Sequence, residues 1–86
     1  MDSGGNIDYL VFVNMHPDVR LKDVLSLCSS FGRLTGQKMI PKPGSMCAVL
    51  RYEDTSAARR AERVLARHLD LVRKRVGSGA RVAVRR

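Results

Sequence analysis

The sequence predicts an α+β fold in which a four-stranded antiparallel sheet packs against two helices. Three observations predict it. Four short runs are β-branched, aromatic or otherwise apolar, at residues 9–13, 34–40, 46–52 and 80–84. Two stretches with apolar residues at helical spacing fall between the first and second runs and between the third and fourth. Gly- or Pro-containing breaks separate the pieces, so the order reads β-α-β-β-α-β.

Each element has its own warrant. Residues 1–7 are polar and glycine-rich and read as a disordered leader, leaving 8–86 as one domain. Residues 9–13, Y-L-V-F-V, favour a strand. His16, Pro17 and Asp18 then make a turn, and Pro17 with Asp18 suits a helix start. In the first helix, expected over 19–30, Leu21, Val24, Leu25, Leu27 and Cys28 share one side, and Phe31-Gly32 closes it with Gly32 in a left-handed conformation. Residues 34–40 read as the second strand, though Gly36 and Gln37 interrupt its pattern. Residues 41–44, P-K-P-G, read as a turn before the third strand. Asp54 or Thr55 caps a second helix expected to reach about Leu69, with Ala58, Ala61, Leu65 and Leu69 on its inner face. Gly77-Ser78-Gly79 breaks the chain before the last strand. This order is the ferredoxin-like, split βαβ plan.

Composition narrows the function. At 86 residues the chain supports one modest core, burying roughly 60% of its unfolded surface. A hydrophobic content of 44% is that of a globular domain. Sixteen Lys and Arg against eight Asp and Glu give a formal charge of +8, which suits a polyanionic partner, most commonly nucleic acid. No apolar run is long enough to span a bilayer, and the start, M-D-S-G-G-N, lacks the basic and apolar parts of a secretory signal. Cys28 and Cys47 therefore read as reduced thiols in an intracellular protein.

Five segments carry a family resemblance. They are L-V-F-V-N-M at residues 10–15, V-L-S-L-C-S-S-F-G at 24–32, and V-L-R-Y-E-D at 49–54. Ala58, Ala61 and Leu65 on the second helix form the fourth, and G-S-G-A-R-V at 77–82 the fifth. In this order and at this spacing they resemble the RNA-recognition motif domain. The resemblance implies a non-enzymatic module that binds nucleic acid on its sheet. It also exposes a departure. The third-strand octapeptide of the family reads K/R-G-F/Y-G/A-F-V-x-F/Y, and its ring positions are Cys47 and Val49 here. The first-strand ring position is Val11. Family members stack two or three bases on those rings, at roughly 1–3 kcal/mol per base, so this chain must hold a nucleic acid mainly by charge.

Side chains alternate across a strand. With Leu10, Phe12, Ala48, Leu50, Tyr52, Val82 and Val84 turned to the helices, the open face carries Val11, Val13, Lys38, Cys47, Val49, Arg51, Arg81, Ala83 and Arg85. Two readings fit. In one, Lys38, Arg51, Arg81 and Arg85 hold the phosphates of RNA or of single-stranded or duplex DNA, with little sequence preference. In the other, the aliphatic centre (Val11, Val13, Cys47 and Val49) docks a protein partner. Arg73, Lys74 and Arg75, with the terminal Arg85 and Arg86, add two basic clusters that extend the sheet rim or serve nuclear localisation. A further stripe, Arg59, Arg60, Arg63 and Arg67, runs along the outer face of the second helix, as a solvated face or a second phosphate-tracking surface.

Catalytic chemistry finds no foothold. Cys28, Cys47, His16 and His68 lack the spacing of a metal site, Cys28 is expected in the core and Cys47 outside it, and His16 is a turn residue. Gly77-Ser78-Gly79 is not followed by the Lys-Ser/Thr of a phosphate loop. The sequence thus implies no metal, no cofactor, no small-molecule substrate and no membrane.

Overall fold

A computed structural model of the chain describes residues 8–85. It is a mixed α+β domain in which a four-stranded, fully antiparallel sheet carries three helices. The strands are β1 (Tyr9–Met15), β2 (Leu34–Lys42), β3 (Ser45–Tyr52) and β4 (Arg81–Arg85). The helices are α1 (Leu21–Cys28), α2 (Thr55–Arg67) and α3 (Leu69–Val76). The sheet order is β2-β3-β1-β4, so β1 and β3 are central and β2 and β4 are edges.

The alternation on β1 sets the two faces. Leu10 and Phe12 are wholly buried against the helices, beside Ala48, Leu50 and Tyr52 of β3. From the helical side Val24, Cys28, Ala57, Ala58, Ala61, Leu65, Val72 and Val76 complete the core. Val82 and Val84 face the same way but are only half-buried, because β4 is an edge. Tyr52 is 2% exposed, and its hydroxyl donates to the Cys28 carbonyl at the end of α1, locking that helix to the sheet.

Several boundaries differ from the sequence expectation, each for a local reason. Pro17 and Asp18 do not start α1. The helix begins at Leu21, where the Asp23 carboxylate accepts from the Arg20 N–H at 3.1 Å. Asp18 instead donates its N–H to His16 Nδ1 in the turn. Gly32 is extended (φ 161°), not left-handed. What glycine supplies there is space, since a Cβ would meet the Ala57 Cβ tightly, at 3.2 Å. Pro41 and Lys42 belong to β2, a site that tolerates proline because β2 is an edge. The turn is Pro43-Gly44 alone, with Gly44 at φ +73°. Asp54 caps α2, its carboxylate accepting from the Ser56 N–H and hydroxyl, which holds its pKa below the usual carboxylate range.

The largest difference is α3. Helix α2 stops at Arg67, His68 breaks the helical geometry (ψ +40°), and a separate helix follows. It turns Leu69, Val72 and Val76 inward at helical spacing. The leader, residues 1–7, lies outside the described residues, and no helix among those described is long and apolar enough to cross a membrane.

Gly77 joins α3 to the last loop at φ +131°, and a Cβ there would sit 2.7 Å from the His16 backbone N. Gly44 has a left-handed φ but open space around it. Gly44→Ala should therefore cost about 1 kcal/mol, the left-handed penalty alone. Gly77→Ala should cost clearly more, visible in thermal melts as a deeper fall than the roughly 4–8 °C expected per kcal/mol. Equal losses would mean that the close approach at His16 is not felt.

Burial pushes the Cys28 thiol from 9.0 up to about 11 and raises the Tyr52 phenol in the same direction. The fold thus favours the neutral thiol. Its contribution is complete below pH 9 and declines as pH rises from 9 through 11. Denaturant titrations across that window should show stability falling with pH, and Cys28→Ala should flatten the slope.

Candidate nucleic-acid interface

Register sorts the open face into three rows that run across the sheet. The first is Ile40, Cys47, Val13 and Arg81; the second Lys38, Val49, Val11 and Ala83; the third Gly36, Arg51, Tyr9 and Arg85. In the first row the β1–β3 ladder shifts, because a bulge at Val13 and Asn14 sets two residues against Cys47. Asn14 takes a left-handed conformation there (φ 58°), which its side chain tolerates, and its amide donates to the Gly79 carbonyl at 3.1 Å.

All nine residues expected on this face are on it. Val11, Val13, Cys47, Val49, Arg51 and Ala83 are half-buried, while Lys38, Arg81 and Arg85 are exposed. Three positions absent from that expectation, Ile40, Tyr9 and Gly36, join them. Ile40 extends the aliphatic centre. Tyr9 adds an aromatic ring, two residues before Val11 and so on the same side. Counting back along the strand from Val11 was the signal that could have found it.

Tyr9 lies directly between Arg51 on β3 and Arg85 on β4. Beside it a shallow hollow of about 240 Å³ is lined by Tyr9, Gly36, Gln37, Lys38, Val49 and Arg51. Gly36 contributes no side chain to the row, which keeps that end open. The guanidinium of Arg51 is positioned: its Nε donates to the Thr35 hydroxyl at 3.1 Å, and its terminal nitrogens make no hydrogen bond among the described residues. The row therefore presents one ring flanked by two cations over an apolar floor.

The stripe on α2 does not act as one surface. Arg59 reaches across to the residue before β1 and donates to the Asp8 carboxylate at 2.7 Å, on a group only 5% exposed. Arg60 donates to the Phe31 carbonyl at 3.0 Å, satisfying the turn that ends α1. Arg63 and Arg67 are exposed and enter no hydrogen bond or ion pair among the described residues. Glu62, near Arg59 in sequence, instead turns to β4.

The cluster at 73–75 does not extend the sheet rim. Helix α3 packs on α1 and α2, so it lies in the helical layer. There Arg73 donates to the Ala80 carbonyl at 3.1 Å and Arg75 to the Ser26 hydroxyl at 3.3 Å; Lys74 is exposed. Arg86 lies outside the described residues. Both cysteines are free, with Cys28 buried in the core and Cys47 on the opposite, open face. No group of three or more His, Cys, Asp or Glu among the described residues is placed to hold a metal ion.

No protein-family model matches the chain, and no curated protein matches it in sequence.

The division within the α2 stripe is measurable. Arg59→Gln should lower stability by about 1 kcal/mol, because it removes a charged hydrogen-bond partner from a nearly buried carboxylate. Arg63→Gln and Arg67→Gln should each stay within about 0.5 kcal/mol of the parent. Indistinguishable melting temperatures for the three variants would contradict a structural role for Arg59.

Proposed function

We propose that this chain is a single-strand nucleic-acid-binding domain of the RNA-recognition type, built on the ferredoxin-like plan. The plan is supported by the sheet order and by connections that each skip one strand: α1 joins β1 to β2 around β3, and α2 with α3 joins β3 to β4 around β1. The five segments that resemble the family lie on β1, on α1 with the turn after it, on β3 with its exit, on α2, and on the loop leading into β4.

One observation carries the functional reading, the row in which Tyr9 stands between Arg51 and Arg85. Val11, Cys47 and Val49 leave the usual ring positions aliphatic. A ring displaced by two residues along β1 still offers a stacking platform, and it has a cation on each side at the strand-to-strand spacing of about 4.8 Å. A base lies on Tyr9, the flanking phosphates meet Arg51 and Arg85, and Lys38 and Arg81 attract the strand as it leaves the row. The aliphatic rows give sequence-tolerant contact. Specificity is slight, because nothing in the row presents a fixed donor–acceptor pattern to a base edge.

If Lys38, Arg51, Arg81 and Arg85 each neutralise one phosphate, log K falls with log salt with a slope of roughly −3. That is a loss of roughly 50-fold between 50 and 200 mM salt. Tyr9→Ala should weaken binding to a single-stranded ten-nucleotide RNA by about 5- to 150-fold, the equivalent of one lost stack. Its salt slope should stay unchanged, whereas Arg51→Gln and Arg85→Gln should each reduce the slope by about 0.7. Fluorescence anisotropy at several ionic strengths reads all three. If RNA and DNA oligonucleotides leave the amide signals of Tyr9, Arg51 and Arg85 unmoved in dilute buffer, the reading fails, and a protein partner on the aliphatic rows takes its place.

A further inference from the structure

The outer side of β4 forms a groove with α2. Strand β4 has β1 on one side only, and its register with β1 turns alternate backbone groups outward. Val84 is one of these: its N–H donates at 3.1 Å to a carboxylate oxygen of Glu62 on α2. Val82, two residues earlier, turns its own N–H and C=O to the same edge. The groove between this edge and α2 encloses about 420 Å³ and is lined by Arg59, Glu62, Arg63, Ala66, Val82 and Val84. Its floor is apolar, and its helical wall is cationic.

Glu62 marks where an acceptor belongs. Its oxygen stands where the carbonyl of a neighbouring strand stands in a sheet. A single flexible side chain holds that position through one hydrogen bond, whereas an added strand brings a series of them. Charge identifies the occupant. Arg63 on the groove wall and Arg67 one turn further along α2 are exposed and have no partner among the described residues. A second copy of this chain would bring another Arg81 and Arg85 against the first, so edge-to-edge self-pairing is opposed by like charges. A nucleic acid suits the cations but has no peptide ladder to offer Val82 and Val84.

We propose that the α2–β4 groove accepts an extended, acidic segment of a partner protein as a fifth strand, with a main-chain carbonyl replacing Glu62 at the Val84 N–H and carboxylates meeting Arg63 and Arg67. The five residues of β4 span about 17 Å, so a segment of about five residues fills the edge. This surface is separate from the open sheet face and does not depend on nucleic-acid binding there.

The test titrates the 15N-labelled 86-residue chain with a capped heptapeptide of alternating Glu and Val, and with the same peptide N-methylated on alternate residues in each of the two registers. Shifts should concentrate at Glu62, Arg63, Val82 and Val84, with cross-strand nuclear Overhauser contacts to Val82 and Val84. N-methylation in the register that pairs with β4 should abolish binding. Arg63→Glu, an exposed position without structural bonds, should weaken it at least tenfold, and the variant's own spectrum verifies its fold. Equal binding of all three peptides would reduce the contact to charge alone and overturn the proposal. So would shifts confined to Tyr9 and Arg51, no shifts at millimolar peptide, or identical shifts at Val82 and Val84 with a ten-nucleotide oligothymidylate. The wild-type comparison of methylated and unmethylated peptides decides the matter even if Arg63→Glu does not fold.

Discussion

Everything in this domain depends on β1 being held on both sides at once. Its partners β3 and β4 fix the register of a strand that has only two faces, so Leu10 and Phe12 must enter the core and Tyr9, Val11 and Val13 must leave it. A slip of one residue would bury the tyrosine hydroxyl and expose Phe12. The core penalty against that slip is large, since Leu10 and Phe12 are both fully buried and each such side chain stabilises the fold by about 1.5–3 kcal/mol. The composition of the open face is therefore a consequence of packing on the other face. The bulge at Val13 and Asn14 lets the strand turn toward Gly79 without disturbing the two rows behind it.

A formal charge of +8 describes the chain but not its surface. Several arginines serve the fold. Arg59 holds Asp8, Arg60 and Arg73 satisfy backbone carbonyls, and Arg75 ties α3 to α1. Guanidinium suits this work because its planar fork donates in fixed directions while its stem packs on apolar surface. A cation so engaged still contributes to the long-range field, but its donors are committed. Among the cations left for a partner, one set, Lys38, Arg51, Arg81 and Arg85, lies on the open sheet face, and a second, Arg63 and Arg67, lies on the outer face of α2. The two lie on different surfaces, which is why a nucleic acid on one and an acidic peptide on the other are compatible.

Helix α3 shows how an extra segment joins a small fold without disturbing it. Leu69, Val72 and Val76 extend the core, and the backbone bond from the His16 N–H to the Val76 carbonyl (2.7 Å) ties its end to the loop after β1. The close approach at Gly77 follows from that bond. Helix α3 thereby takes the basic cluster at 73–75 into the helical layer, where Arg73 still reaches the Ala80 carbonyl just before β4.

By itself the sequence determined the alternation of strands and helices, the inner faces of β1, β3 and α2, and nearly all of the open face. Those features rest on local periodicity, and a period of two or 3.6 is written directly in residues such as Leu10, Phe12, Ala58 and Ala61. Helix α3 was equally periodic but was obscured by the expectation of a single helix, because the break at His68 has no glycine or proline to announce it. Tertiary structure alone decided which arginines are occupied, since Asp8 lies 51 positions from Arg59 and the Phe31 carbonyl lies 29 from Arg60. It alone set Tyr9 between two cations on different strands, and it turned Glu62 away from its helical neighbours to the edge of β4. Pairings of that kind are made by the register of strands distant in sequence, and no local pattern encodes them.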